Sequence, residues 1–278
     1  MFSTSFFATE SHYDRYAAGN EELRARISQL DNATILADET RIAPIASEML
    51  LKVKPLVRRG SNGIAIQEFL LKQFSAHGWR PMLIGYEGYR EAVPVSVNNQ
   101  VGNAVPTDAP FPDAALVKVE LVAASPQAHV AQAWTFATPN ATEQQRQLLM
   151  TARRALRMGI AQIRAGERLS NVGTAIQQEL DANHAVAIHE LVGYSMGQTR
   201  VQEPHVLGYG SSINDETPMK SGQVLNVYVV AKSGTAGIRF QPPEFWTVLT
   251  KDGADSVMLS AMVEVTDDGH KLLSKLID

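Results

Sequence analysis

The sequence predicts an α+β domain, a mostly antiparallel sheet with helices collected on one face. Three observations predict it. Segments with helical apolar spacing come in two pairs. Each pair is followed by strand patterns. The helix–glycine–helix unit occurs twice, about a hundred residues apart, which is too few copies for a solenoid and points to one domain built from two related halves. The chain has 278 residues, 45% of them hydrophobic, enough for a substantial core. Charged residues at 19% argue against disorder.

In chain order, residues 1–37 read as an N-terminal extension and 38–278 as a single domain. Within the extension, Asn20 is expected to cap a helix running to about Gln29, with Glu21 and Glu22 suiting its N-terminus. The extension is available to mediate a homodimer. From Arg41 to Val57, apolar residues at Ile42, Ile45, Ala46, Met49, Leu50 and Val53 have helical offsets, and Arg58-Arg59-Gly60 reads as a stop. A second helix carries Ile64, Ile66, Phe69, Leu70 and Phe74 and ends at His77-Gly78. The pair returns as Ala152 to Ile163, a stop at Gly166, and Val172 to Leu180. Strands are expected at Val93–Val97, Leu116–Val122, Val224–Val230 and Ser256–Thr266, with turns at Asn98-Asn99, Ser233-Gly234 and Asp267-Asp268-Gly269.

Several classes are excluded. The net charge of −4 lacks the basic footprint of a nucleic-acid binder. No cysteine means no disulfide, thiol nucleophile or thiolate metal site. No run of about 18 apolar residues predicts a membrane span. The start, Met1 to Phe7, has no basic region and soon meets Glu10 and Asp14, so a soluble cytoplasmic protein is expected.

A set of motifs adds to this reading. Gly85-Tyr86-Glu87-Gly88-Tyr89, followed by Ser96-Val97-Asn98 and by Gly102-Asn103-Ala104-Val105-Pro106, resembles the methionine aminopeptidase stretch that runs from Y-x-G-Y into S-x-N-x-x-x-x-H-G-x-P. Gly193-Tyr194-Ser195-Met196-Gly197 with Glu203-Pro204 stands where that family has G-H-G-x-G and then E-P. Lys220-Ser221-Gly222 stands at K-P-G, and Trp246 to Gly253 and Val265 to Gly269 resemble the last two blocks. The resemblance runs from about residue 41 to residue 273 and implies the pita-bread fold of the aminopeptidase and creatinase superfamily.

The family holds two divalent metals with two Asp, one His and two Glu, because two close cations need bridging anions to offset their repulsion. Carried across, those ligands fall on Glu120, Ala131, Tyr194, Tyr228 and Ser260, and the cleft histidine falls on Asn103. The second substrate-facing histidine falls near Val201. Only Glu120 is an acid, so the expectation is no metal and no other cofactor. His129, nearest in sequence to the site, is expected as an exposed loop histidine. Lys118 lies two residues from Glu120 on a strand and so shares its face. It is expected either as an ordinary ion-pair partner or as a partial replacement for the lost cations that keeps Glu120 ionised.

Two functions remain open. One is metal-independent acid–base chemistry on a small amino-acid- or peptide-derived molecule. In it Glu120 is the acid or base, and Tyr194 and Tyr228 donate to an oxyanion. Asn103, Gln132 and Ser260 orient the ligand, and Tyr86 and Trp246 line its pocket. The creatinase branch hydrolyses C–N bonds without metal, but its histidine falls on Asn103, which leaves that mechanism unsupported. The other function is a non-catalytic pseudo-peptidase that binds a ligand or a protein. Convergence of Glu120, Tyr194 and Tyr228 on an open pocket would favour the first.

Overall fold

The computed structural model describes residues 11–211, 217–235 and 237–277. Helix α1 (His12–Ile27) is capped by Ser11, whose hydroxyl accepts from the Asp14 N–H. The helix expected to begin at Asn20 therefore begins earlier, and Asn20 lies inside it, fully buried. Its amide donates to the Pro81 and Ile84 carbonyls at 2.7 and 3.0 Å, and its oxygen accepts from Arg80 Nε at 2.8 Å. Three tertiary hydrogen bonds outweigh the capping preference of asparagine. Helix α2 (Asn32–Leu51) is capped by Asp31 and carries Pro44 in its interior. The boundary expected after residue 37 falls inside this helix.

A 3-10 turn at Lys54–Leu56 leads to α3 (Gly63–Ala76), capped by Asn62. The first half continues with β1 (Arg80–Pro81), a 3-10 turn at Tyr86–Gly88, β2 (Val95–Val97), β3 (Gln100–Gly102), β4 (Leu116–Ala124) and β5 (His129–Ala137). The second half has α4 (Glu143–Ile160), α5 (Ser170–Ala182), β6 (Val186–Ala187), β7 (Gly193–Met196), β8 (Gln202–Val206), β9 (Val224–Lys232), β10 (Ile238–Phe240), β11 (Val248–Thr250), β12 (Ser256–Thr266) and β13 (Gly269–Leu272). A reciprocal Thr142–Gln145 capping box starts α4 well before Ala152. The whole of β4 and β9, and nearly all of β5, is buried. Strand β5 is not among the strands expected from the sequence.

Every named pair is antiparallel. One sheet runs β1-β4-β2 with β5 on β4, a second runs β13-β12-β9-β7-β8 with β6 on β9, and a small one runs β10-β11-β3. Side chains join the first two sheets. Thr135 exchanges hydrogen bonds with the Met258 backbone at 2.8 and 2.9 Å. Ser260 Oγ accepts from the Ala133 N–H at 2.8 Å, and Asn226 Nδ2 donates to the Ala131 carbonyl at 3.1 Å. Helix α2 packs on β4 and β5, and α4 packs on β9 and β12.

Candidate functional site

Glu120 on β4, Tyr194 on β7 and Tyr228 on β9 converge on a cleft of about 180 Å³. Asn103, Tyr86 and Trp246 also line it, together with Leu83, Tyr89, Val122, Leu191 and Met258. The walls are thus largely apolar, with a few polar groups aimed inward, as small-molecule sites are built.

Backbone geometry aims the carboxylate. Gly102 lies where a Cβ would meet Met258 Cε at 2.6 Å and Glu120 Oε1 at 3.3 Å, so a side chain here would push the Met258 tip and crowd the carboxylate. Asn103 follows at φ 55°, a left-handed conformation that asparagine tolerates. The turn presents the Asn103 N–H to Glu120 Oε1 at 2.7 Å. Oε2 has no hydrogen bond to the described residues. Burial pushes the Glu120 carboxyl up to about 7, against the opposing pull of the Asn103 N–H, Arg200 and Lys118.

The cation nearest this chemistry is Arg200, which sequence reasoning missed. It sits in the loop between β7 and β8 and donates from Nη1 to the Tyr194 hydroxyl at 3.0 Å. Its guanidinium carbon lies 4.5 Å from the Tyr86 ring centre and 5.6 Å from that of Tyr194. Burial works against its charge, but Tyr194, Tyr228 and Tyr86 outweigh burial and raise its pKa. Gln198 anchors the loop by donating to the Leu30 carbonyl at 3.0 Å. The only sequence signal was position, since Arg200 adjoins Val201, where the resemblance places a substrate-facing histidine.

The Tyr194 and Tyr228 rings are 5.7 Å apart and nearly buried. Burial, Tyr194 and Glu120 push the Tyr228 phenol well above its ordinary range. Asn226 Nδ2 also reaches the Tyr194 oxygen, at 3.5 Å. Because Arg200 and Asn226 both donate to that oxygen, the phenol proton of Tyr194 is the part left to offer.

Four expectations are corrected. Lys118 is fully buried, and its ammonium donates to the Asn98 and Ser256 carbonyls at 2.7 and 3.0 Å and to Ser256 Oγ at 3.4 Å. It ties β4 to the start of β12 and does not line the cleft. Gln132 does not line the cleft; it lies on the face of β5 opposite to that of Ala131, the position the resemblance implies for a ligand. Its amide donates to the Lys275 carbonyl at 2.9 Å and accepts from Ser47 Oγ at 2.8 Å. Ser260 spends its oxygen on the Ala133 N–H and lies outside the cleft lining. His129 is no exposed loop residue but a buried one at the start of β5, only 2% exposed.

Among the described residues, no three His, Asp or Glu side chains gather in a group that could hold a metal ion. No helix of the described residues is long and apolar enough to cross a membrane.

Residues 40–267 match the family described as metallopeptidase family M24. Methionine aminopeptidase 1 of Bacillus subtilis is 27% identical over 243 residues, covering 87% of this chain and 96% of the relative. The methionine aminopeptidase structure from Rickettsia prowazekii superposes with a TM-score of 0.83 at 19% identity, covering 86% of this chain and 96% of that one. The one from Thermotoga maritima gives 0.82 at 22%, covering 91% and 97%. The architecture is therefore the pita-bread fold.

Proposed function

Because the chain belongs to metallopeptidase family M24, we propose that it is a divergent, metal-independent member of that family. On this reading it performs acid–base chemistry on a small amino-acid- or peptide-derived molecule in the Glu120 cleft. The observation that carries the reading is the donor set. At the five positions where the resemblance implies metal ligands stand one carboxylate, a methyl, two phenols and a hydroxyl already bonded to Ala133. A guanidinium lies against one of the two phenols. Neutral phenols and a fixed cation do not offset the repulsion of two divalent ions, so these residues do not fit such a pair.

The same residues suit proton transfer. A carboxyl at about 7 is half ionised at neutral pH, where a general base works best. Asn103 holds one oxygen and leaves Oε2 to take a proton from water or from the ligand. Tyr194, Tyr228 and Arg200 supply donors and positive charge for an oxyanion formed within hydrogen-bond reach. Asn103, Tyr86 and Trp246 shape the pocket for the ligand.

A second reading, a binding module without catalysis, is favoured by one observation: Ser260, Gln132 and Lys118 all spend their polar atoms inside the protein. One experiment separates the two. The purified protein is analysed for bound metal and screened for hydrolysis of short peptides and amino-acid amides with and without Mn²⁺ or Co²⁺. Metal-free turnover that is lost in E120Q supports the catalytic reading. Ligand binding without turnover supports the module. Stoichiometric metal with metal-dependent aminopeptidase activity sinks both.

A further inference from the structure

A second cavity, of about 270 Å³, shares Tyr86 and Arg200 with the Glu120 cleft. Its other lining residues include Arg24 from α1 and His129 from β5. Two guanidiniums therefore face one small space. Arg24 lies over the same Tyr86 ring at 6.0 Å, against 4.5 Å for Arg200. Burial, and after it the charge of Arg200, lowers the pKa of Arg24. Among the described residues neither arginine has a carboxylate within ion-pair distance. Glu21 acts on Arg24, and Arg200 acts on Glu120, only at longer range.

Their hydrogen bonds are also incomplete. A guanidinium carries five N–H donors. Arg24 uses Nη2 on the Met82 and Ile84 carbonyls at 2.8 and 3.2 Å, and Arg200 uses Nη1 on Tyr194. Nε and Nη1 of Arg24, and Nε and Nη2 of Arg200, have no hydrogen bond to the described residues. His129 adds an independent sign. Its ring is almost wholly buried, and Nδ1 has no partner. Burial and then the two arginines push its pKa down to about 3, so the ring is neutral. A buried Nδ1 without a partner is costly in either tautomer, and with the proton on Nδ1 it is a donor with a place for an acceptor.

We propose that this cavity is an anion-binding subsite for the carboxylate of a small ligand, held between Arg24 and Arg200 with His129 donating through Nδ1. Planar guanidinium forks match a carboxylate better than they match a spherical ion. The cavity shares Tyr86 and Arg200 with the Glu120 cleft, and the proposed ligand lies across both. The substrate class is then a short peptide-derived acid, its free carboxylate in the subsite and its reacting group beside Glu120. Anion binding as such does not depend on the catalytic role of Glu120, whereas this substrate class rests on it.

The test is calorimetric titration of the folded protein with N-acetylglycine and, separately, with inorganic phosphate, while the His129 ring resonances are followed by NMR. Wild type is expected to bind N-acetylglycine with displacement of the His129 signals. R24Q is expected to weaken binding by roughly tenfold or more, as loss of a charge-assisted fork implies. R24K, which keeps the charge, should recover part of it. Thermal midpoints are recorded in parallel because Arg24 also supports two backbone carbonyls. If R24Q does not fold, R24K alone decides: undiminished affinity in it argues against the fork. E120Q should keep the binding. No carboxylate binding up to about 50 mM in folded wild type overturns the subsite, and so does affinity unchanged in R24Q. Phosphate binding without carboxylate binding overturns the assignment of the anion. Anion binding with E120Q turnover unimpaired would leave the subsite standing and remove the catalytic reading alone.

Discussion

Glu120 keeps one oxygen on a backbone N–H and the other free, in a place where burial holds its carboxyl near neutrality. E120Q preserves size and the Asn103 contact but removes the base. The expected outcome is a loss of turnover of about 100-fold or more with little change in thermal midpoint, checked by steady-state kinetics and melting curves. If Glu120 is the base, kcat/KM in wild type should rise with pH through about 7 as the carboxylate forms. A profile flat between pH 5 and 9 would remove it from that role. Motif order in the sequence brought Glu120, Tyr194, Tyr228, Asn103, Tyr86 and Trp246 together, and all six line one cleft. Gln132 was expected to orient the ligand, but it stands one residue from Ala131 on a strand, so it faces the other way, toward Ser47 and Lys275. Lys118 shares the face of Glu120, but the Asn98 carbonyl and the Ser256 carbonyl at the start of β12 claim its ammonium. Such tertiary acceptors leave no trace in local sequence.

Helix α1 is tied to the chain before Tyr86 by side-chain hydrogen bonds. Asn20 holds the chain before Tyr86 through two carbonyls, and Arg24 holds the Met82 and Ile84 carbonyls. N20A should destabilise the fold by about 2–3 kcal/mol, read by denaturant unfolding, because buried carbonyls lose their donor. Helix α2 carries a different device. Glu39 is 1% exposed, its Oε1 has no partner, and burial, Asp38 and Glu264 push its carboxyl up to about 8. Between about pH 4.5 and 8 the folded chain holds a proton there that the unfolded chain releases. Stability from this group is therefore full below the unfolded pKa and falls as pH rises through the folded one. E39Q should flatten that fall and stabilise the protein at pH 8 by about 1–3 kcal/mol, measured as unfolding free energy against pH. A fall in stability with rising pH no steeper in wild type than in E39Q would show that Glu39 does not hold the extra proton. The early start of α1 and α2 was hidden because Ser11 and Asp31, and not Asn20, cap them.

At the scale of the whole molecule, two antiparallel halves meet along a seam of side chains. Lys118 with Ser256, Thr135 with Met258, and Ser260 with Ala133 form that seam. The cleft opens beside it, so residues at the positions where the resemblance implies ligands serve either the seam or the cleft. A protein whose native state bound a divalent pair would gain stability by RT ln(1 + [L]/Kd). Under the reading proposed here, Mn²⁺, Co²⁺ and chelator should all leave the thermal midpoint unchanged. A rise with added metal that chelator reverses would contradict it.

The sequence by itself determined the α+β class, the doubled helix unit and the order of the central strands. Apolar periodicity and glycine stops act over a few residues, so they can be read from a few residues. It also shows one acid and no imidazole at the five positions where the resemblance implies ligands, because composition at matched positions needs no coordinates. Only the tertiary structure decided which cation stands there. Arg200 comes from a loop with no period of its own and reaches Tyr194 because Gln198 anchors that loop to Leu30, 168 residues away in sequence. Contacts of that range depend on where two halves close on each other, which local preference does not encode.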